Sequence, residues 1–265
     1  MKIGALIMAF NNEHYDYVKL AAYNAERIRR FLKIPVTIVT DSINVPDKFD
    51  DIIRIERPDA EQRYFPDIKT NVNWFNSNRV DAFELTPYDR TLLLDADFLI
   101  NSSNLSWPLA TSRSFLCFNK AHDLTKTTDF VALNTMGLHQ FPMHWATVII
   151  FQRDHHSKFV FDSMQMIRDN WEHYRNIYKI DRPTYRNDFA LTIALGIVSG
   201  HTMNVDNISY SMPTVTPEHK LSLSDKDVYK VEFKVNNKPK HIMFTNMDFH
   251  AMGKRDLGEL IDNQI

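Results

Sequence analysis

Two carboxylates stand one residue apart at the end of an apolar run, in the sequence TLLLDADFLI at residues 91–100. The three leucines predict a buried strand, so Asp95 and Asp97 are expected where this strand leaves the interior. Because an unpaired buried carboxylate is strongly unfavourable, two of them need positive charge nearby. A divalent cation would supply it, and carboxylate oxygens favour Mg²⁺ or Mn²⁺. Such an ion would screen the phosphates of a nucleotide and stabilise a departing diphosphate.

Strands and helices are predicted to alternate around this segment. Apolar runs at 2–10 and 36–40 indicate buried strands, and apolar residues at helical spacing cover 13–32 between them, which makes a parallel β-α-β unit. Further strands are predicted at 52–55, 91–97, 115–118, 146–151, 228–233 and 241–245, and helices at about 73–85, 156–174, 187–196 and from about 255. This order predicts an α/β fold, a single domain with a mixed, mostly parallel sheet flanked by helices. Ligands of such sheets bind beyond the carboxyl ends of the parallel strands, and on an extended strand Asp95 and Asp97 would share a face.

Two polar segments, 56–70 and 200–227, are predicted to be loops. The second contains Pro213 and Pro217 and few apolar residues. Loops of that length in compact domains are often functional lids, so we expect 200–227 to close over a bound ligand.

Composition narrows the class of protein. The 265 residues are 44% hydrophobic and 24% charged with a net charge of −2, which gives no general attraction to nucleic acid or anionic membranes. The single cysteine, Cys117, excludes an internal disulfide and favours a reducing, cytoplasmic compartment. No apolar stretch approaches the roughly 20 residues that span a bilayer, so no membrane partner is expected. The six glycines argue against a glycine-rich phosphate loop.

The segment LLLDADFLI resembles the D-x-D segment of GT-A fold glycosyltransferases, and is most similar to the glycogenin-like and lipopolysaccharide galactosyltransferase group, family 8. NRVDAFELTPYDR before it and FTNMDFHAMGKRDL at 244–257 are also similar to that group. The resemblance implies a GT-A (Rossmann-like) fold in which residues 1–100 form the nucleotide-binding half and 101–265 the donor-sugar and acceptor half. In size and composition the chain resembles small virus-encoded members, which would place it in the host cytoplasm.

The same resemblance implies roles for individual residues. Asp95, Asp97 and His250 would hold Mn²⁺ or Mg²⁺, and Lys254 would contact the diphosphate and act in catalysis. The donor would be a nucleotide sugar, with a UDP-sugar favoured. The residues that would contact the donor are Asn11, Tyr15, Asp41, Arg79, Asp95 and Lys254.

The stereochemistry and the acceptor stay open. Family similarity favours retention of configuration; an inverting reaction would need a carboxylate base, and Asp188 before the predicted helix 187–196 is the candidate, although it also suits a helix cap. The acceptor is a glycan or a hydroxymethylated DNA base. DNA would need exposed aromatic side chains such as Trp145 or Tyr185 for stacking. It would also need a basic groove, for which the candidates are Lys120, Lys126, Arg153, Lys158, Arg182 and Arg186.

Three other functions share features with this sequence. Phosphatases of the haloacid dehalogenase type also carry Asp-x-Asp after an apolar strand, but normally on the first strand and followed by Thr or Val, whereas Phe98 follows here. A nucleotidyltransferase would need a glycine-rich loop after the first strand, which AFNNEHY lacks. A catalytically inactive nucleotide-sugar-binding domain is the third alternative, and a sugar-nucleotide hydrolysis assay would distinguish it.

Overall fold

The computed structural model describes residues 1–202 and 204–263. The strands are β1 (Ile3–Met8), β2 (Val36–Thr40), β3 (Asp51–Arg54), β4 (Glu61–Phe65), β5 (Thr70–Trp74), β6 (Arg90–Leu94), β7 (Phe98–Leu99), β8 (Phe115–Phe118), β9 (Ala121–Asp123), β10 (Thr135–Met136), β11 (Phe141–Pro142), β12 (Trp145–Gln152), β13 (Met212–Val215), β14 (Lys220–Asp225), β15 (Val228–Val235), β16 (Lys238–Phe244) and β17 (Phe249–Ala251). The α-helices are α1 (Tyr17–Phe31), α2 (Ala82–Leu85), α3 (Ser106–Ala110), α4 (His155–Asp169), α5 (Trp171–Ile177), α6 (Asn187–Val198) and α7 (Lys254–Asp262). Two short 3₁₀ helices span Ser77–Asp81 and Ala132–Asn134.

Six strands form the central sheet in the order β3-β2-β1-β6-β12-β8. The first four are parallel to one another, whereas β12 runs antiparallel to both β6 and β8. β2 and β6 are buried along their whole length and β1 and β12 along nearly all of it, which explains why their sequences are continuous apolar runs. The predicted α/β fold with a mixed, mostly parallel sheet is confirmed. The division into halves at residue 100 stays a prediction.

Smaller sheets complete the domain. The order β7-β17-β13-β9 forms a second sheet, β14-β15-β16 an antiparallel third, and β4-β5 and β10-β11 two hairpins. The second sheet brings the C-terminal strand β17 antiparallel to β7, the strand that follows Asp97. No helix among residues 1–202 and 204–263 is both long and apolar enough to cross a membrane.

Helix α1 connects β1 to β2 and completes the predicted β-α-β unit. Its first turn is held by two side chains from the preceding loop: Asp16 accepts from the Lys19 N–H at 3.0 Å, and Asn11 accepts from the Val18 N–H at 3.0 Å. These contacts satisfy N–H groups that have no partner inside the helix.

The prediction of a loop at 56–70 and a helix at 73–85 was wrong in part. Residues Glu61–Phe65 pair with Thr70–Trp74 as an antiparallel hairpin, and only the short turns from Ser77 to Leu85 are helical. One face of the hairpin does alternate toward the interior, with Phe65, Val72 and Trp74 buried. Because Glu61 and Arg63 occupy the same face, the pattern lacks the apolar periodicity that identifies a strand.

The prediction of a long loop at 200–227 was also wrong in part. Strand β13 (Met212–Val215) is buried between β17 and β9, and β14 (Lys220–Asp225) is the first strand of the antiparallel three-stranded sheet. Met203, which the prediction included, lies outside the described residues. Pro213 is the second residue of β13, and since proline is unusual inside a buried strand, its presence favoured a loop.

One further predicted helix differs from the structure. The helix predicted at 156–174 is two helices, α4 and α5, separated at Asn170. The Asn170 backbone has φ −122° and ψ 36°, outside the helical region. Asn170 is therefore both the C-cap of α4 and the N-cap of α5.

Candidate active site

A polar pocket opens at the carboxyl ends of β1 and β6. β1 lies between β2 and β6, so the chain leaves β1 toward one side and returns on the other, which makes this edge the topological switch point of the sheet. Such positions are the usual ligand sites of open α/β sheets. The pocket is lined by residues that follow β1 and β6, by the β4-β5 hairpin, by the starts of β12 and α6, and by β17 and α7.

Asp95 begins a turn at the end of β6. The Phe98 N–H donates to the Asp95 carbonyl at 3.1 Å, so the chain bends between the two aspartates and does not stay extended. The two side chains therefore do not share a face, as they would on an extended strand, but lie at a bend at the strand end. The Asp95 carboxylate turns to the guanidinium of Arg79, which donates at 2.8 Å.

Arg79 is fully buried and lies on the 3₁₀ helix that follows the hairpin. Besides Asp95 it contacts the Thr147 carbonyl at 3.4 Å, and its Nε has no partner among the described residues. Desolvation raises the pKa of Asp95 above its usual value, with Asp97 adding to the rise and Arg79 opposing it. Arg79 lines the pocket, and its contact with the donor stays a prediction.

Asp97 lies among cations from the C-terminal end of the chain. Its Oδ2 accepts from Lys254 Nζ at 2.6 Å and lies 3.6 Å from His250 Nε2. β17 pairs with β7 so that His250 is opposite Phe98, and the Ala251 N–H donates to the Asp97 carbonyl at 2.9 Å. Burial alone would raise the pKa of Asp97, but Lys254 and His250 outweigh it and hold the pKa well below its usual value.

These residues fit a divalent ion only in part. The 3.6 Å between Asp97 Oδ2 and His250 Nε2 is less than twice the roughly 2.1 Å of a typical Mg²⁺–ligand bond, so one ion can bridge both atoms. His250 Nδ1 is buried without a partner. Asp95 does not join them, and the described residues contain no group of three or more such side chains arranged around one point. The three-residue metal set therefore stays a prediction that needs Asp95 to leave Arg79.

Asp188, which also lines the pocket, pairs with Arg186 at 2.6 Å through Oδ2 and accepts from the Ala146 N–H at 2.9 Å through Oδ1. Burial raises the pKa of Asp188, but Arg186 and the Ala146 N–H outweigh it, so the pKa lies below its usual value. Both oxygens are in use, and Asp188 would have to release Arg186 before acting as a base. Its catalytic role stays a prediction.

Three of the predicted donor contacts lie outside the pocket. Asn11 uses its side-chain oxygen to hold the first turn of α1, Tyr15 is buried and donates to Asp67 at 2.8 Å, and Asp41 pairs with Arg57. None of the three lines the cavity. Each side chain makes a local structural contact in this structure, and the expected role of the three in binding the nucleotide stays a prediction.

The aromatic residues proposed for stacking on DNA are not exposed. Trp145 and Tyr185 are 3% and 4% exposed, respectively. Trp145 donates from its indole to Asn134 at 3.3 Å, and Tyr185 packs edge-on against Trp171. Neither ring presents a face on which an extruded base could stack.

The hairpin contributes residues that the sequence did not single out. The inward face of the hairpin contributes Arg63, Phe65 and Trp74 to the cavity lining, and α1 contributes Tyr17. The only sequence signal was the alternation in EQRYF and NVNW, which the charged residues obscure. Asp67 in the hairpin turn accepts from the backbone N–H groups of Lys254 and Arg255 at 3.1 and 3.4 Å, and so fastens the hairpin to the N-terminus of α7.

Buried polar atoms without partners are concentrated around this pocket. Among the described residues five of them belong to its lining, namely Tyr17 Oη, Asn76 Oδ1, Arg79 Nε, Arg186 Nε and His250 Nδ1. Folded proteins satisfy most buried polar groups, so such a concentration indicates a polar ligand. The cavity has a volume of about 120 Å³, below the roughly 300–1,000 Å³ of typical ligand sites.

Comparisons with known proteins identify structures but no sequence family. No family model matches the chain, and no curated protein matches its sequence. Solved structures with a similar fold include the glycosyltransferase GlyE of Streptococcus pneumoniae TIGR4, at 11% identity and a TM-score of 0.45 over 79% of this chain and 45% of that one. The galactosyltransferase LgtC is similar at 13% identity and a TM-score of 0.45 over 74% of this chain and 70% of LgtC. Mouse xyloside xylosyltransferase 1 is similar at 12% identity and a TM-score of 0.43, over 76% and 83%. With TM-scores this low, the function has to be argued from the site itself.

Proposed function

We propose that this protein is a glycosyltransferase that moves a sugar from a nucleotide-sugar donor to an acceptor hydroxyl. The observation that carries the proposal is the arrangement at the β1/β6 switch point. There an Asp-x-Asp turn meets a histidine and a lysine from the end of the chain, in a pocket with unsatisfied polar groups. A D-x-D turn with a downstream His and Lys is what the resemblance to GT-A enzymes implies.

Different residues would bind the metal ion and stabilise the departing diphosphate. Asp97 and His250, joined by Asp95, would hold Mn²⁺ or Mg²⁺. When bound, that ion supplies positive charge for the diphosphate as it departs. Lys254 pairs with Asp97 in this structure. In the donor complex we propose that a phosphate oxygen replaces Asp97 as its partner, so that the ammonium stabilises the leaving group.

Arg79 would release Asp95 to the metal site and orient the donor. A UDP-sugar donor and retention of configuration belong to the same proposal. Asp188 would serve as base only if the reaction inverts.

The β4-β5 hairpin is the segment that we propose opens and closes over the donor. It forms one wall of a cavity too small for a nucleotide sugar, and among the described residues it pairs with no other strand. Its attachment through Asp67 is at the first residues of α7, next to Lys254. Closure would exclude water, which otherwise competes with the acceptor for the activated sugar.

A glycan is the acceptor class that we favour. A DNA base would need a stacking platform, and the two aromatic residues considered for one are buried. A rise in salt separates the two acceptors, because DNA binding releases counterions and weakens steeply, whereas a neutral glycan responds little.

The proposal is tested by binding and turnover. Nucleotide sugars are screened with Mn²⁺ for protection against thermal unfolding, and the protecting donor is then assayed for hydrolysis and transfer. Calorimetry should show tighter Mn²⁺ binding in the presence of UDP or GDP, and none of this gain in Asp97→Ala. Absence of both protection and donor hydrolysis for every nucleotide sugar would refute the function. Protection without turnover would instead favour the inactive binding domain.

A further inference from the structure

Arg63 presents a guanidinium to the pocket without an anionic partner. The other strong charges of the pocket are paired: Asp95 with Arg79, Asp97 with Lys254 and Asp188 with Arg186. Among the residues that the structure describes, no carboxylate lies within ion-pair distance of Arg63, and its side chain makes no hydrogen bond. Arg63 is half-buried, and a partly desolvated cation without a partner is unfavourable, so the position indicates an anionic ligand.

Two aromatic rings hold this side chain in place. The guanidinium carbon lies 5.7 Å from the centre of the Phe65 ring and 5.5 Å from that of Trp74. Both rings belong to the same inward face of the hairpin, and Val72 is the cross-strand neighbour of Arg63. Cation–π contacts restrict a long side chain and leave the outward N–H groups of its fork available. Less conformational entropy is then lost when a ligand binds.

The local charge is positive at this end of the pocket, which we call the arginine end and define by Arg63, Arg186 and Asp188. Desolvation lowers the pKa of Arg63, and the charge of Arg186 adds to this effect, whereas Asp188 opposes it. Of the two guanidinium groups, only Arg186 is paired with the Asp188 carboxylate, and the cations proposed for the donor phosphates are Lys254 and Arg79.

We propose that Arg63, with Arg186 beside it, binds an anionic group of the substrate other than the diphosphate. The chemistry is that of a carboxylate or a phosphate, whose oxygens match the planar fork of arginine. Two sources supply such a group: a hexuronate in the donor, or an acidic or phosphorylated sugar in the acceptor. The inference rests on the proposed function and adds to it the charge of the substrate.

The test compares charged and neutral ligands in the wild type and in Arg63→Gln. Calorimetry with Mn²⁺ measures binding of UDP, UDP-glucose and UDP-glucuronate, and then of glucose, glucuronate and glucose 6-phosphate to the UDP complex. We expect the wild type to prefer a charged ligand in one of the two series, and the variant to lose about ten- to a hundredfold in affinity for it. UDP itself should bind equally to both proteins. The series that responds identifies the source as donor or acceptor.

Two control variants separate charge from folding. Lys69→Gln removes one positive charge from the turn of the same hairpin, outside the pocket lining, and should leave the preference unchanged. Arg63→Lys keeps the charge but loses the fork, and should retain part of the preference.

Three results would overturn the inference. Arg63→Gln could lose as much affinity for UDP as for the charged ligand, which would assign Arg63 to the diphosphate. Arg63→Gln could bind the charged ligand as tightly as the wild type, or the wild type could bind charged and neutral ligands equally. A wild type that binds no nucleotide would refute the proposed function, and this inference with it.

Discussion

Two groups of charged residues in the pocket, called its two ends here, differ in how their charge is compensated. At the carboxylate end, defined by Asp95, Asp97, His250 and Lys254, the two aspartates each have a cation partner. At the arginine end, Arg63 has no anion. Protein groups therefore already compensate the charge at the first end, and a ligand has to displace them there. At the arginine end the ligand supplies the anion that Arg63 lacks. We therefore expect the carboxylate end to determine turnover and folding stability, and the arginine end to determine ligand selectivity.

The largest expected effect is loss of turnover at the carboxylate end. Asp97→Asn removes the charge that holds Lys254 and His250, and kcat should fall by about 10²–10³-fold, as when a group that stabilises transition-state charge is lost. The control is Asp123→Asn, another buried carboxylate, which lies outside the pocket and accepts from Thr125 and from neighbouring N–H groups. It should lower thermal stability but retain kcat. Similar kcat in Asp97→Asn and wild type would show that the carboxylate end does not set the rate.

Lys254→Ala should act mainly on the chemical step. The ammonium matters most as negative charge develops on the diphosphate, so kcat should fall by about a hundredfold with a small change in donor KM. Steady-state kinetics measures both constants, with Arg255→Ala as the control because Arg255 is exposed at the same helix start. A large rise in KM at unchanged kcat would instead assign Lys254 to ground-state binding.

The two arginines should differ in their effect on folding. Arg79→Gln leaves Asp95 without its cation and should lower the free energy of unfolding by about 3 kcal/mol, as expected when one partner of a buried pair is removed. Arg63→Gln breaks no ion pair, and because loss of its cation–π contacts is offset by removal of a partly buried unpaired charge, stability should change by about 1 kcal/mol or less. Urea denaturation of both variants measures the difference.

The double variant Arg79→Gln/Asp95→Asn should recover part of the loss, because the unpaired charge is gone. Equal destabilisation by Arg79→Gln and Arg63→Gln would contradict the distinction between the two ends.

The most local effect is expected in the β4-β5 hairpin, which lines the pocket. Asp67→Asn weakens the contact with the Lys254 and Arg255 N–H groups and with Tyr15, and should cost about 0.5–1.5 kcal/mol locally, a typical value for a hydrogen bond. Hydrogen exchange of residues 61–74 should then be faster than in wild type, while exchange of the central sheet stays the same. Metal and nucleotide should slow exchange of the hairpin in the wild type. Identical exchange with and without these ligands would refute the proposed movement.

Local pattern was enough to predict most of the central sheet. The strands at 36–40 and 115–118 have the predicted bounds, and the one at 146–151 is extended by one residue at each end, because buried strands are continuous apolar runs. The strand at 52–55 is shifted by one residue. The same reasoning located Asp95 at a strand end. Element prediction failed where polar residues occupy inward positions, as in the hairpin at 61–74, or where a proline lies in a strand, as at Pro213.

The sequence by itself therefore determined the α/β class and the presence of two carboxylates at the end of a buried strand. Tertiary structure decided which cation partners each of them. The turn at Ala96 separates the two side chains, and packing of distant segments supplies Arg79 to Asp95 and Lys254 to Asp97. The need for positive charge was readable from burial, because a buried carboxylate is unfavourable in any fold. Whether a metal ion or an arginine or lysine meets that need depends on contacts between residues far apart in the chain, which no local pattern encodes.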